Sequence, residues 1–168
     1  FIAFLLMVAG GYLLFQFAPY AEVRSYSGDA PLPEEGTAYE GGVASFLEEI
    51  GVEGRRLYLE FHFWDFLNPL LHAVTFTLLI GWLIRRARFE HNWARFAVLI
   101  PLFVGGADLI ENMLLIEALH TYPGPGSGSA LIPPVTAAKF LGAVLVMAST
   151  GILAVIAYLR RRAAPDTR

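Results

Sequence analysis

An all-α, four-span membrane bundle is the fold class the chain predicts, and three observations predict it. The 168 residues are 56% hydrophobic and only 16% charged, where a soluble domain carries about 25% charged residues. Four stretches approach or exceed the roughly 20 apolar residues needed to cross a bilayer. Eight of the eleven arginines lie in just two short segments between or after those stretches.

The predicted spans are Phe1–Ala18, Leu57–Leu83, Phe96–Leu119 and Leu131–Leu159. The first continues into "FQFAPYAEV" without a small-residue cleavage pattern, which favours a retained helix over a signal peptide. The chain begins at Phe1 rather than Met, so preceding residues are expected. Arg85, Arg86, Arg88 and Arg95 follow the second span, and Arg160, Arg161, Arg162 and Arg168 follow the fourth. The first loop, Pro19–Arg56, holds eight acidic residues against Arg24, Arg55 and Arg56. The positive-inside rule then places both termini and the middle loop in the cytoplasm and the acidic loop outside. The arginine usage points to a bacterium of high GC content and its inner membrane.

Within the acidic loop, "SYSGDAPLPEEGTAYEGG" predicts irregular coil. "SFLEEIG" predicts a short amphipathic helix on the outer membrane surface, with Ser45 and Glu48 as a capping box, Phe46, Leu47 and Ile50 facing inward, and Gly51 at its end. Pro133 and Pro134 suit the first turn of the fourth span. Tyr20, Tyr58, Trp64 and Tyr122 fit an outer aromatic belt, and Trp82 and Trp93 an inner one.

Ionisable groups inside a span cost roughly 2.5–3.5 kcal/mol each at its centre, so those present mark candidate sites. In the second span Tyr58, Asp65, Asn68 and His72, with Thr75 beyond, recur at helical spacing on one stripe. In the third, Asp108, Glu111 and Asn112 share a face, and in the fourth Thr136 and Lys139 do. Lys139 is the only lysine in the chain. At about 1.5 Å of rise per residue, Asp65, Glu111 and Lys139 all fall roughly 12 Å below the outer ends of their spans. Asp108 and His72 fall about 17–22 Å deep. Lys139 is therefore expected to meet Asp65, Glu111 or both in a shared polar interior, with His72 bonded to a neighbouring acid. Pro69 removes the amide that would bond the Asp65 carbonyl and predicts a kink there. Gly105 and Gly106 predict close helix approach. Arg55 and Arg56 are placed to lid the acidic layer.

The absence of cysteine excludes disulfides, thiolate catalysis and Cys-based metal sites. "EALH" and "HFWD" carry the Glu/His and His/Asp spacing of di-iron bundles, but the partner glutamates at matching depth are missing, so no metal is expected. No cofactor is expected either, and no nucleic-acid patch or phosphate-cradling loop is present. The catalytic candidates are Asp65, Asp108, Glu111 and Lys139. The ligand-binding candidates are Arg55, Tyr58, Asn68, His72, Asn112 and Thr136. Three functions suit them: binding or transforming a lipid, isoprenoid or quinone; serving as an accessory subunit of a larger membrane complex or homo-oligomer; or carrying protons or ions. The last is weakened by the few polar groups in the cytoplasmic halves, Thr75, Thr77 and Ser149.

"GVEGRRLYLEFHFWDFLNPL", "ADLIENMLL" and "TAAK", in that order from Gly51 to Gly142, resemble a widespread group of small bacterial four-helix membrane proteins. The group's pattern is Gly-x-Glu-Gly-Arg-x-x-Tyr, an Asp followed by Pro, Asp-x-x-Glu-Asn and Thr-x-x-Lys. The resemblance implies shared architecture and points to Arg55, Tyr58, Asp65, Asp108, Glu111, Asn112, Thr136 and Lys139. Asn68 before Pro69 departs from the Phe expected there. Sterol-isomerase-type bundles with buried acids are similar at the level of architecture alone.

Overall fold

In the computed structural model, residues 2–28, 30–35, 42–89, 92–124 and 126–163 are described, and no strand occurs among them. The helices are α1 (Ile2–Phe17), α2 (Tyr20–Tyr26), α3 (Gly42–Glu49), α4 (Gly51–Asp65), α5 (Leu67–Arg86), α6 (Ile100–Thr121) and α7 (Ile132–Ala163). Three short 3-10 segments join them, at Pro33–Glu35, Asn92–Leu99 and Ser129–Leu131. Three continuous helical stretches are long and apolar enough to cross a membrane: Gly51–Arg86, Phe96–Thr121 and Ser129–Arg162. α1 is apolar along its 16 described residues, fewer than the roughly 20 a full crossing takes.

α5 is the central helix and packs against α1, α6 and α7, while α6 and α7 run along each other. Large side chains on the outward faces remain apolar: Leu78, Phe103, Val144 and Ile152 are each more than half exposed. A contiguous surface of that kind needs an apolar surrounding. Two buried clusters lie along the bundle. One joins the end of α1 to α2, α3, α4 and the adjoining ends of α6 and α7 through Val23, Leu32, Phe46, Tyr58 and Leu115. The other, around Ile80, Leu83, Val146 and Leu153, closes the opposite end. At that opposite end Arg160 donates to the carbonyls of Ala87 and Arg88, where Arg88 turns the chain at φ 48°. The 85–88 and 160–162 arginine segments thus share one end of the bundle.

Between Asp65 and Pro69 the α-helical hydrogen-bond pattern is interrupted at a single residue, Phe66, whose backbone stays helical at φ −56° and ψ −30°. α4 and α5 thus run on as one stretch with a local fault where Pro69 removes an amide. Close approach occurs at Gly105, where a Cβ would stand 2.8 Å from Ala73 Cβ and 3.1 Å from the Pro69 carbonyl, whereas Gly106 faces open space.

Three expectations for the outer loop are corrected. α3 starts at Gly42, so Ser45 lies inside the helix and forms no N-terminal capping box. Phe46, Leu47 and Ile50 are buried, and they pack into the protein's own core with Tyr58 and Leu115. Gly51 does end the helix, with φ 66°. The coil between α2 and α3 contains an ordered turn, Pro33–Glu35, fixed by buried Leu32 and Pro33 and by the Glu35 carboxylate accepting from the Leu32 amide at 2.9 Å. Tyr20 also donates to Glu35. Residues 29 and 36–41 of that coil lie outside the described residues. Tyr58 is fully buried and so takes no part in an aromatic belt, while Trp64 and Trp82 are half exposed. The side chain of Trp93 is outside the described set.

Candidate functional site

The buried polar groups form one cluster where α4, α6 and α7 meet under the Pro33–Glu35 turn. Its hub is Lys139, which donates to Glu111, to Asp108 Oδ1 at 3.2 Å and to the Glu34 carbonyl at 3.4 Å. Glu111 is wholly buried and also accepts from the Thr136 hydroxyl. Adjacent on α6, Asn112 donates from Nδ2 to Asp65 Oδ2 at 3.0 Å and offers Oδ1 to His62 Nδ1 at 3.2 Å. That contact assigns the His62 proton to Nδ1. Nε2 is then an acceptor, and it is buried with no hydrogen-bond partner. The ring of Tyr58 meets His62 edge-on with centroids 4.5 Å apart, and its hydroxyl donates to Glu34.

Eight of the ten predicted site residues are therefore brought together: Tyr58, Asp65, Asp108, Glu111, Asn112, Thr136, Lys139 and, at the edge beside Asp65, Asn68, whose Oδ1 is buried without a partner. The partner of Lys139 is corrected in part. It meets Glu111 but takes Asp108 rather than Asp65, because Asn112 stands between Asp65 and the hub. Arg55 is elsewhere: its guanidinium lies 4.2 Å over the Tyr122 ring and donates to the Leu47 carbonyl at 2.6 Å, tying α4 to α3 and to the end of α6. Arg56 is exposed and pairs with Glu53 and Glu60. Neither arginine lids the carboxylates. His72 is exposed, and its Nδ1 bonds the Asn68 carbonyl of its own helix at 2.9 Å rather than an acid. Glu117 of the "EALH" motif accepts from the amide and hydroxyl of Ser127, at 3.1 and 2.6 Å, and so holds the 126–129 loop against α6.

Two members of the cluster escaped the sequence reading. His62 has a clear signal, lying four residues after Tyr58 and three before Asp65 on the same helical stripe. Glu34 comes from the loop, where only the apolar pair Leu32 and Pro33 within an acidic run hints at burial. Its Oε1 is buried without a partner. Burial pushes the Glu34 carboxyl up to about 8, Glu111 adding to the rise while Tyr58 and Lys139 oppose it.

Beneath the cluster, toward the arginine-rich end, lies a cavity of about 300 Å³. α1, α5, α6 and α7 line it, through Met7 of α1, Phe76 of α5, Val104 and Asp108 of α6, and Ala143 and Met147 of α7 among others. His72 stands at its edge. The cavity wall is apolar except near Asp108 and His72, which places a charged oxygen at one end of an oily space. Of the cavities lined by described residues along the bundle, this is the one whose wall includes a member of the hub.

These features define an all-helical protein with three membrane-length helices organised around a buried Glu–Lys–Asp hub. Comparison of the chain with protein-family models, with curated proteins and with solved structures yields no match.

Proposed function

We propose that the chain is a four-span inner-membrane protein, with both termini and the middle loop cytoplasmic, that binds and positions a membrane amphiphile. The apolar part fills the cavity beneath the hub and the polar head reaches Asp108. One observation carries this reading: Asp108 belongs both to the ion-paired hub and to the wall of a 300 Å³ apolar cavity. Cavities that bind small molecules are mostly apolar, with few and well-placed polar groups. Lys139 fixes Asp108 Oδ1, and Glu111, fully enclosed, positions Lys139. Among the catalytic candidates, Asp108 is then the group that touches a ligand and acts as acid or base on it. Glu111, Lys139 and Asp65 act through it or through Asn112.

A structural role for the layer is the second reading, favoured by the complete pairing of Glu111, Thr136 and the Asn112 amide. Such a layer fixes helix register in an accessory subunit. A proton or ion route finds less support: Thr75 bonds the Ala3 carbonyl at 2.9 Å, Thr77 that of Val98 at 3.4 Å and Ser149 that of Val146 at 3.0 Å. These three hydroxyls are thus occupied by backbone, and the buried Thr150 hydroxyl, with no partner among the described residues, does not by itself extend a path.

Native mass spectrometry of protein released gently from its own membranes separates the readings. A small molecule of fixed mass on the wild type, lost from Ala143→Phe, supports the amphiphile. Stoichiometric partner subunits on both forms, with no small molecule on either, would replace it with the accessory role.

A further inference from the structure

We infer that the amphiphile has a head that donates hydrogen bonds and carries no negative charge, with a long-chain amine preferred over a long-chain alcohol. This rests on the cavity reading above and adds the chemistry of the head. The ammonium of Lys139 has three N–H donors. All three are taken within the protein, by Glu111, Asp108 Oδ1 and the carbonyl of Glu34. Among the described residues the basic groups are engaged elsewhere: no other lysine exists, Arg24 bonds Tyr20, Arg55 is held against Tyr122 and Leu47, Arg56 pairs with Glu53 and Glu60, and the arginines of the 85–88 and 160–162 segments lie at the far end of the bundle. The remaining polar groups at the site are mainly acceptors. Asp108 Oδ2 has no partner among the described residues, and its side chain keeps 22% of its surface accessible. With Glu34 holding its proton, the acids Asp65, Asp108 and Glu111 still outnumber the single lysine, so an added cation relieves like-charge crowding and an added anion increases it. The apolar wall from Val104 and Ala143 down to Phe76 and Met147 suits an unbranched hydrocarbon tail.

The test uses the full chain in phosphatidylcholine nanodiscs at neutral pH with four probes of one chain length: dodecylamine, dodecanol, dodecanoate and dodecyl phosphate. Binding is read by native mass spectrometry and by the shift in thermal unfolding. Dodecylamine is expected to bind at least about tenfold more tightly than either anion, since like-charge juxtaposition costs several kcal/mol, with dodecanol in between. Asp108→Asn should bring the amine down toward the alcohol. Ala143→Phe, and Met147→Trp as a second way of filling the same space, should abolish binding of every probe. An anionic probe binding as tightly as the amine, and blocked by the filled cavity, overturns the inference and leaves the cavity reading standing. No probe bound by the wild type, or binding untouched by both filled-cavity variants, overturns the two together.

Discussion

Lys139 illustrates what a buried charge demands of its surroundings. Removing one partner of a buried ion pair leaves the other charge uncompensated and costs about 3–5 kcal/mol, whereas removing both is far less harmful. Lys139→Met should therefore destabilise the protein by that amount in detergent unfolding, and adding Glu111→Gln should recover most of the loss. A double variant no more stable than the single one would show that the hub does not depend on charge pairing. Glu34 makes a second prediction, with the opposite sign from the usual carboxylate. Its folded value near 8 stands above the ordinary 4.5, so the native state holds a proton that the unfolded chain releases. Stability from this group is complete below about pH 4.5 and is lost as pH rises through about 8. The groups facing it are Tyr58 of α4, Glu111 of α6 and Lys139 of α7. Glu34→Gln keeps an acceptor for Tyr58 and cannot ionise, so its unfolding midpoint should fall less than the wild type's across that window. Equal slopes for the two proteins would remove Glu34 as the titrating group. These two residues also mark the limits of legibility. Lys139, Glu111 and Asp108 were visible because a charge in an apolar run has few explanations. Glu34 was not, because an acid in an acidic loop is unremarkable until the loop is folded onto the bundle.

At the scale of elements, local chemistry foretold the breaks better than the docking. The one-residue interruption at Phe66 and the αL turn at Gly51 follow from Pro69 and glycine alone. The outer helix was found with its start misplaced by three residues, because tertiary burial of Phe46 and Leu47 extended it to Gly42 past the apparent cap at Ser45. The glycine pair "GG" before Asp108 could not be told apart in one dimension, yet its members differ in three. A Cβ at position 105 meets Ala73 and the Pro69 carbonyl, and one at 106 meets nothing. Gly105→Ala should thus cost about 1–3 kcal/mol through overpacking between α5 and α6. Gly106→Ala should be neutral or stabilise α6 by up to about 1 kcal/mol. Thermal unfolding of the two single variants in the same detergent checks the contrast, and equal effects would mean that α5 and α6 do not approach closely here.

For the whole molecule, charge placement and folding agree on which ends belong together. The arginines after α5 and after α7 are separated by some seventy residues of sequence, yet Arg160 reaches the carbonyls of Ala87 and Arg88. The acidic segments α2, α3 and the Pro33–Glu35 turn gather at the other end, over the hub. This asymmetry was legible in the arginine pattern; the folding of the acidic loop into the site was not, since it depends on Val23, Leu32 and Phe46 finding α4. The proposed orientation puts the arginine end in the cytoplasm. The cysteine-free chain makes it directly testable. Glu48→Cys, on the exposed face of α3, should react with a membrane-impermeant maleimide in intact spheroplasts. Arg162→Cys, at the far end of α7, should react only after permeabilisation. The reverse pattern would invert the protein and place the Glu34 turn in the cytoplasm. Labelling of both sites from outside would instead mean an even number of crossings between them, leaving one of the three apolar stretches lying on the membrane rather than through it.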